Sequence, residues 1–460
     1  MFKKIVACIY VALLGCLCAK VVTTDAKKPE YLKYVQSVEE TQPKPKPKDY
    51  YINVGITDDN KKYFKQVSFT CDKDYIVETS SNKKTIPAKK KVTYKSSDFQ
   101  SGERVLLYSP SKKGINCLSL NRSFGHPSYL GKIALYFQKD KIYIVNRLEL
   151  ENYLRFVIPS EISANSEVEA LKAQAVCARS YAFSALAGKD KKELTNPDAI
   201  KKSCDVWDST DSQVYNKQLS SKAVKQAVKK TKGEVLVDCD TKEIIRTWYY
   251  STSWGFTADT SIWQSKSKNY SSKLSGNLKK KEVPVLSTLD LNTNTGFRKA
   301  YNDWKSFDCN FYDQNMPWFR WQIETNTTQL TKNLAMKQKV SRILCKKRGV
   351  GGGVTKLEIW FTDGSKKTVT GMGRIREVLG SKNWKIKKMD GSIRTNLSVF
   401  PSAFFYIEQN KNKMIFHGGG FGHGVGLSQA AMKQMAKDGK KYSEILHFFY
   451  NNVKIQDINE

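Results

Sequence analysis

The sequence lacks the signatures of two common enzyme classes. Ser251, Thr252 and Ser253 are consecutive hydroxyl residues, but no histidine lies near them in the sequence and no G-x-S-x-G turn surrounds them. The glycine-rich stretch HGGGFGHGVG has no Walker lysine, and a phosphate-binding loop would not explain its histidines, His417 and His423. These absences argue against a serine hydrolase and against a P-loop nucleotide-binding protein.

The cysteines form no recognisable framework. Three of the ten lie before residue 20, and the remaining seven are an odd number with no spacing typical of a set of disulfides. The stretch CDVWDSTDSQVYN, residues 204–216, places one cysteine among three aspartates, which is not a tetrahedral Cys/His site. Aspartates in such a loop more often form turns and caps. We therefore predict no bound metal and no cofactor.

Acidic residues are far outnumbered by basic ones. The chain has 77 lysines and arginines against 44 acidic residues, a net charge of +33. In a cytosolic chain that charge would first suggest nucleic acid. Lys3 and Lys4, followed by an apolar run over residues 5–19, are instead typical of a signal peptide, so we predict export. The expected partners are then anionic cell-wall polymers or a membrane surface, not nucleic acid, with binding that weakens as salt rises.

The N-terminal segment leaves its processing open. The apolar run is short for a membrane span, and residues 13–16 (LLGC) loosely resemble a lipobox. A cleaved signal, a lipoprotein and an uncleaved anchor are all compatible with residues 1–22. Residues 23–49 contain alternating proline and lysine (PKPKPK), which predicts an extended linker.

Alternating apolar and polar residues predict strands from residue 51 to about residue 146. The segments are YINVGI, KQVSFTC, KVTYK, RVLLYS, KIALYF and KIYIVN. A short helix then leads to Glu161, in a turn begun by Pro159 and flanked by apolar residues. Partial burial there would raise the pKa of the carboxyl and suit it to general acid catalysis, although a surface glutamate closing a turn has the same local pattern.

A helix is predicted directly after Glu161. Ser166 and Glu169 are spaced as a capping box, and Gly188 is the expected end. Between them, apolar and mostly small residues recur at helical spacing, which predicts a buried helix. The residues of this stripe are Val168, Leu171, Ala175, Ala178 and Ala182.

Four ordered motifs resemble those of one protein family. They are LELENYL (residues 148–154) with the glutamate and EALKAQAVCAR that follow it, SQVYN (212–216), YYSTSWGFTADTSIW (249–263) and HGGGFGHGVGLSQAAMKQMAKDG (417–439). In this order they resemble the SpoIID domain of the stage II sporulation protein D and amidase enhancer LytB family. The resemblance extends from about residue 50 to the end and is weakest over residues 265–334.

The resemblance implies a fold and a domain organisation. The fold would be α+β, with a β-rich N-terminal part and a mixed α/β SpoIID-like catalytic domain. After the signal or anchor (1–22) and the linker (23–49), the expected divisions are a β-rich part (50–146), a core with the catalytic glutamate (147–264) and a C-terminal part with the Gly/His loop (265–460).

The resemblance also implies an activity and a set of site residues. Family members with this domain are lytic transglycosylases, which cut the MurNAc–GlcNAc bond of peptidoglycan, preferably in glycan without stem peptides. Glu161 would be the catalytic acid and then the base, and no second acid stands beside it in any matched motif. The expected substrate-binding residues are Arg179, Gln213, Tyr215, Ser251, Thr252, His423 and Gln429.

Several of these roles have structural alternatives. Tyr215 fits the core equally well, and His423 equally fits a histidine that braces a tight loop. Trp318 and Trp321 flank Arg320 and are predicted to be core residues, and His447 is predicted to be structural. Some family members hold zinc with two cysteines and a histidine near SQVYN; here Trp207 and Ser212 stand at the cysteine positions, so zinc is not expected.

Two further functions stay open at this point. Enhancers of the same family stimulate a cell-wall amidase, so the cleft could bind glycan and cut nothing. A wall-anchored structural protein would leave the Gly/His loop unexplained. The role could lie in cell-wall remodelling or in sporulation.

Overall fold

The computed structural model describes residues 50–58, 61–122, 124–186, 204–215, 220–263, 276–277, 289–307 and 310–458. All of them belong to one unit, Lys46–Glu460. The predicted signal or anchor, the linker and Gly188 lie outside the described residues, so those predictions stay predictions. None of the helices found in the described ranges has the length and apolarity needed to span a membrane.

Strands and helices alternate along the described chain, which confirms the α+β class and the β-rich N-terminal part. The strands are β1 (Tyr51–Ile56), β2 (Gln66–Cys71), β3 (Tyr75–Glu78), β4 (Lys83–Ile86), β5 (Val92–Lys95), β6 (Arg104–Tyr108), β7 (Ile115–Cys117), β8 (Ser128–Tyr129), β9 (Lys132–Gln138), β10 (Lys141–Glu149), β11 (Val206–Trp207), β12 (Glu234–Asp238), β13 (Tyr249–Tyr250), β14 (Gly276–Asn277), β15 (Asn310–Phe311), β16 (Trp321–Asn326), β17 (Val340–Arg348), β18 (Val354–Phe361), β19 (Lys366–Thr370), β20 (Ile386–Lys388), β21 (Ile393–Arg394), β22 (Phe405–Asn410), β23 (Lys413–Gly418), β24 (Leu427–Ser428) and β25 (Val453–Asp457). The helices are α1 (Leu150–Glu161), α2 (Val168–Leu186), α3 (Lys222–Lys230), α4 (Asn294–Asn302), α5 (Thr327–Asn333), α6 (Met372–Leu379), α7 (Gln429–Lys437) and α8 (Tyr442–Phe449).

The N-terminal part contains two sheets. A seven-stranded sheet has the order β11-β1-β10-β9-β6-β3-β4, and a four-stranded sheet has the order β5-β2-β7-β8. All six segments predicted as strands are strands, because their apolar residues pack against the core. Burial is not limited to one face in every strand, since consecutive residues of β6 and β9 are buried and β5 is only partly buried. In β10, for example, Ile142, Ile144 and Leu148 are buried, and the next residues continue directly into α1.

Helix α2 lies in the middle of the packed helices. It is in contact with α1, α3, α7, α8 and β12. Its predicted apolar stripe is buried except for Val168, which is 39% exposed at the helix start. Burial extends beyond the stripe to most of the helix, and the alanines allow the neighbouring elements to approach closely. The prediction of a buried helix is confirmed.

The predicted capping box does not form. The Ser166 hydroxyl is buried and has no hydrogen-bond partner among the described residues. The carboxylate of Glu169 instead accepts from the Lys172 ammonium at 2.6 Å and from the backbone N–H of Tyr442 at 2.9 Å. A tertiary contact with the start of α8 has therefore replaced the local cap.

The C-terminal part forms further layers. A five-stranded sheet has the order β21-β20-β16-β23-β22, and a three-stranded antiparallel sheet has the order β17-β18-β19. Their apolar side chains share a core that includes Trp321, Ile359 and Phe416. A separate cluster around Trp254 and Phe297 packs the segment after β13 against α4. This arrangement brings the loop before β16 to the end of α1.

Candidate active site

A pocket of about 460 Å³ opens beside Glu161. That volume lies in the range of small-molecule binding sites. Four parts of the chain line it: the end of α1, residues 251–252, residues 316–318 and the start of α7. The lining residues are Pro159, Ser160, Glu161, Ile162, Ser163, Ser251, Thr252, Met316, Pro317, Trp318, Gln429, Ala430 and Lys433.

Glu161 is the last residue of α1, which corrects the predicted turn. Pro159 lies inside the helix and does not begin a turn. Proline removes one backbone donor from the last turn, and the Ser160 hydroxyl donates to the Phe156 carbonyl there at 2.7 Å. The helix closes with the Ile162 N–H donating to the Ile158 carbonyl. This ending holds the Glu161 side chain at the pocket.

Three donors reach the Glu161 carboxyl. The backbone N–H of Val214 donates to Oε1 at 2.6 Å. Two longer contacts come from the Tyr249 hydroxyl to Oε1 at 3.4 Å and from the Gln429 amide to Oε2 at 3.5 Å. Burial nevertheless raises the pKa of Glu161 to about 7, because it disfavours the charged form more than these donors favour it. The carboxyl can therefore exchange a proton near neutral pH.

A second layer of side chains fixes these donors. The buried Gln213 side-chain amide donates to the Tyr249 hydroxyl at 2.9 Å and to the Ala178 carbonyl at 3.3 Å. The Tyr153 hydroxyl in turn donates to the Gln213 carbonyl oxygen at 3.1 Å. Gln213 has no exposed surface, so it supports the pocket from behind. Its predicted contact with substrate does not fit this position, and its place in the network is that of a positioning residue.

The glycine-rich loop brings Ser251, Thr252 and Gln429 into the pocket. Thr252 and Phe421 pair through their backbones at 2.8 and 3.2 Å, and the Ala430 N–H donates to the Ser251 carbonyl at 2.9 Å. Gly426 has a φ of 76°, and a Cβ there would lie 2.1 Å from a backbone oxygen, so the close approach requires glycine. The structure thus places three predicted residues together with Glu161.

Arg179 and Tyr215 are core residues and do not line the pocket. The Arg179 guanidinium has no exposed surface and makes a two-point ion pair with Glu151, at 2.8 and 2.9 Å. Tyr215 is also fully buried, and its hydroxyl donates to the Asn146 side chain at 3.0 Å. Neither side chain has exposed surface that a substrate could contact. The structure therefore corrects the predicted substrate contact of both residues. The core alternative for Tyr215 is the one that the structure supports.

His423 braces the loop. Its Nδ1 accepts from the Val425 N–H at 3.1 Å, and its ring lies 6.0 Å from the Trp248 ring and 5.6 Å from the Tyr250 ring, centroid to centroid. Burial and the Arg376 cation lower the pKa of His423 to about 3, so the imidazole is neutral. It is not among the pocket-lining residues, so the bracing alternative fits better than a substrate contact.

The second loop histidine, His417, belongs to strand β23 and not to a loop. Its ring contacts the Glu408 carboxylate at 3.1 Å and the Gln322 amide at 3.0 Å. The aspartates of residues 204–216, next to the strand β11 that pairs with β1, also have structural roles. Asp208 accepts from the backbone and hydroxyl of Thr57, at 3.0 and 2.7 Å.

The tract at which the family resemblance raised the question of zinc does not fit a metal here. The Trp207 ring packs on Gly55, and the Ser212 hydroxyl accepts from the Trp207 N–H at 3.1 Å. An indole cannot ligate zinc, and the neighbouring Asp208 is already bound by Thr57 and by the Arg122 guanidinium. Within the described ranges, no three His, Cys, Asp or Glu side chains come together as a metal site.

Several pocket residues were missed by the sequence reasoning. Trp318 was predicted to be core together with Trp321, but only Trp321 is, at 1% exposed, and Trp318 lines the pocket. Lys433 follows Gln429 by four residues, a helical spacing that could have revealed it. The Val214 donor is a backbone group, for which the sequence holds no signal.

Comparison with known proteins supports the family resemblance. A family model described as Stage II sporulation protein (SpoIID) matches residues 138–237, which contain Glu161 and α1 to α3. The chain contains a SpoIID domain. The family resemblance drawn from the motifs is therefore confirmed. A second model, a domain of unknown function (DUF8618), matches residues 257–426, which include the pocket residues Met316, Pro317 and Trp318.

Individual relatives are similar at modest identity. An uncharacterised protein of Brachyspira hyodysenteriae is 29% identical over 337 residues, 72% of this chain and 73% of that protein. The Bacillus subtilis amidase enhancer is 28% identical over 310 residues, 65% of this chain and 39% of the enhancer. Stage II sporulation protein D of Bacillus subtilis is 24% identical over 325 residues, 68% of this chain and 76% of that protein. The chain thus spans well under half of the amidase enhancer.

Proposed function

We propose that this SpoIID protein is a peptidoglycan lytic transglycosylase. It would cleave MurNAc–GlcNAc bonds of glycan strands, preferably strands without stem peptides, and leave 1,6-anhydro ends. The observation that carries the proposal is the single carboxyl of Glu161, with its pKa raised to about 7, at the wall of a pocket of about 460 Å³. Similarity to proteins named for sporulation and for amidase enhancement supports a role at the cell wall.

The number of carboxyl groups at the pocket distinguishes a lytic transglycosylase from a glycoside hydrolase. A glycoside hydrolase uses two carboxyls, one of which activates water or attacks the sugar. Among the described lining residues, Glu161 is the only acid. Glu167 is exposed on the surface, and Glu169 is engaged by Lys172 and Tyr442, so neither supplies the second group. A lytic transglycosylase needs only one.

Glu161 would act twice in one turnover. The protonated carboxyl first donates its proton to the glycosidic oxygen as the bond to C1 of MurNAc breaks. The carboxylate then takes the proton of the C6 hydroxyl of the same MurNAc while that oxygen bonds to C1 and closes the anhydro ring. Glu161 ends protonated, and no water is consumed. The Gln429 amide and the hydroxyls of Ser251 and Thr252 would bind the sugar beside it.

The cellular setting is part of the proposal. The positively charged N-terminus followed by an apolar run favours export, with the protein at the cell wall or the outer face of the membrane. A net charge of +33 favours attraction to anionic wall polymers or to a membrane surface. The process would be cell-wall remodelling or sporulation, in which a cell-wall amidase is a natural partner because it removes stem peptides.

The decisive experiment is product analysis of peptide-free glycan strands incubated with the protein in H₂¹⁸O. A lytic transglycosylase leaves 1,6-anhydro ends without ¹⁸O, and a hydrolase leaves reducing ends that contain it. We expect anhydro ends by mass spectrometry. Reducing ends labelled with ¹⁸O would contradict the proposal.

The similarity to the amidase enhancer favours one alternative, a non-catalytic glycan-binding protein that stimulates a cell-wall amidase. The same incubation distinguishes it. Intact strands that nevertheless bind tightly to the protein would assign it to the enhancer class, and stimulation of a wall amidase would then be measured directly.

Activity is expected to decrease as the pH rises above about 7. The first step requires the protonated carboxyl, and the pKa of Glu161 is raised to about 7, so the protonated fraction falls tenfold per pH unit above that value. The measurement is kcat/KM for anhydro-end formation between about pH 5 and pH 9. A rate that stays constant across the alkaline half of that range would show that Glu161 does not act as the acid.

A further inference from the structure

A lysine stands on the pocket wall one helical turn beyond Gln429. Lys433 and Gln429 are four residues apart on α7, so both project from the same face of the helix. Gln429 contacts the Glu161 carboxyl, and a separation of four residues corresponds to about 6 Å along a helix axis. Lys433 therefore lies within reach of a sugar whose glycosidic oxygen is at Glu161.

The Lys433 side chain is partly buried, and none of the ion pairs found among the described residues includes it. The Asp313 carboxylate acts on Lys433 through its charge, while its Oδ1 accepts from the Ser253 N–H at 2.9 Å and from the Ser428 hydroxyl at 2.6 Å. Burial and the neighbouring Lys437 cation lower the pKa of Lys433. An anion that entered the pocket would pair directly with the Lys433 ammonium.

Trp318 also lines the pocket. Its indole packs against the Phe421 ring, with 4.6 Å between centroids, and is half-buried. The backbone of Phe421 pairs with that of Thr252, which lines the pocket, so the indole is held in place relative to Thr252. An indole held in this way packs well against the apolar surface of a sugar ring.

We propose that Lys433 and Trp318 form a subsite for a sugar that carries a free carboxylate, next to the bond at Glu161. The proposal rests on glycan as the proposed ligand, but not on its cleavage. Trp318 contacts the ring, and the Lys433 ammonium pairs with the carboxylate. The lactyl carboxylate of peptide-free MurNAc has this chemistry, whereas an attached stem peptide converts it to a neutral amide. Lys433 would thus give the preference for peptide-free strands a physical origin.

The test measures binding in the full chain with Glu161→Gln, in which cleavage plays no part. Two forms of one short glycan are compared by calorimetry, with free lactyl carboxylates or with the same carboxylates converted to methylamides. We expect the carboxylate form to bind about tenfold more tightly, the size of one charge-assisted hydrogen bond. Lys433→Met should abolish that ratio, and Lys433→Arg should retain it. Trp318→Leu should weaken the binding of both forms.

The matched control is Lys437→Met, which removes the same charge one turn further along α7, where the side chain is exposed and does not line the pocket. It should leave the ratio unchanged, because exposed charges are screened at about 0.15 M salt. A ratio that survives Lys433→Met, or that Lys437→Met removes equally, would overturn the subsite while the glycan assignment stands. Failure of the Glu161→Gln protein to bind either form would overturn the glycan assignment itself.

Discussion

Replacing Glu161 with glutamine is expected to reduce the rate of anhydro-end formation by about a thousandfold, within the usual range for losing a general acid and base. An amide neither protonates the glycosidic oxygen nor accepts the proton of the C6 hydroxyl. Its shape is that of the carboxylic acid, and its oxygen still accepts from the Val214 N–H. The measurement is the initial rate on peptide-free strands, with KM changing little.

The matched control for this substitution is Glu167→Gln. Glu167 lies six residues further along the chain but is exposed, outside the pocket. That variant loses the same charge and should retain the parent rate. Equal rates for Glu161→Gln and the parent would remove Glu161 from the mechanism and leave the proposed function without its main support.

The free energy of unfolding shows whether Glu161→Gln has lost its catalytic group or its folded structure. Burial raises the pKa of Glu161 from 4.5 to about 7. The contribution of Glu161 to the free energy of unfolding is therefore fully present below about pH 4.5. It is lost as the pH rises through 7, which lowers the free energy of unfolding by about 3 kcal/mol. Glutamine carries no such cost, so Glu161→Gln should raise the free energy of unfolding at pH 8 relative to the parent and change it little at pH 4. An inactive variant that is also less stable at pH 8 would contradict this account.

The catalytic candidate and the strands could be predicted because each depends on local pattern. Apolar residues alternate with polar ones at the start of β1 and β10, and β9 is a short continuous apolar run, both of which are typical of strands. Glu161 was found from its motif and its apolar neighbours. Its place at the end of α1 was not, because a proline usually signals a break, whereas here it sits in the last turn of the helix.

Motif membership did not reveal which way a side chain points. Arg179 and Ser251 both lie in matched motifs, yet Arg179 is enclosed between helices while Ser251 lines the pocket. The difference depends on which elements pack against α2, and those come from far along the chain. The Trp318 side of the pocket was missed for the same reason, since its approach to Glu161 is fixed by the sheets of the C-terminal part.

Replacing Arg179 with methionine is expected to lower the free energy of unfolding by about 3–5 kcal/mol, the usual cost of leaving one partner of a buried ion pair alone. The guanidinium has no exposed surface and binds both oxygens of Glu151 and the Glu234 carbonyl. These bonds join α2 to α1, which carries Glu161, and to β12. Methionine fills a similar volume but satisfies none of these groups. The measurement is the urea midpoint at constant slope.

An exposed pair provides the reference for this prediction. Arg374 and Glu377 form an ion pair on the surface of α6, and Arg374→Met should cost less than about 1 kcal/mol. Adding Glu151→Met to Arg179→Met should recover part of the loss, because the unpaired carboxylate is then removed as well. The folded fraction of Arg179→Met should retain the KM of the parent for glycan. A raised KM without a loss of stability would instead return Arg179 to the substrate-binding role that its motif predicts.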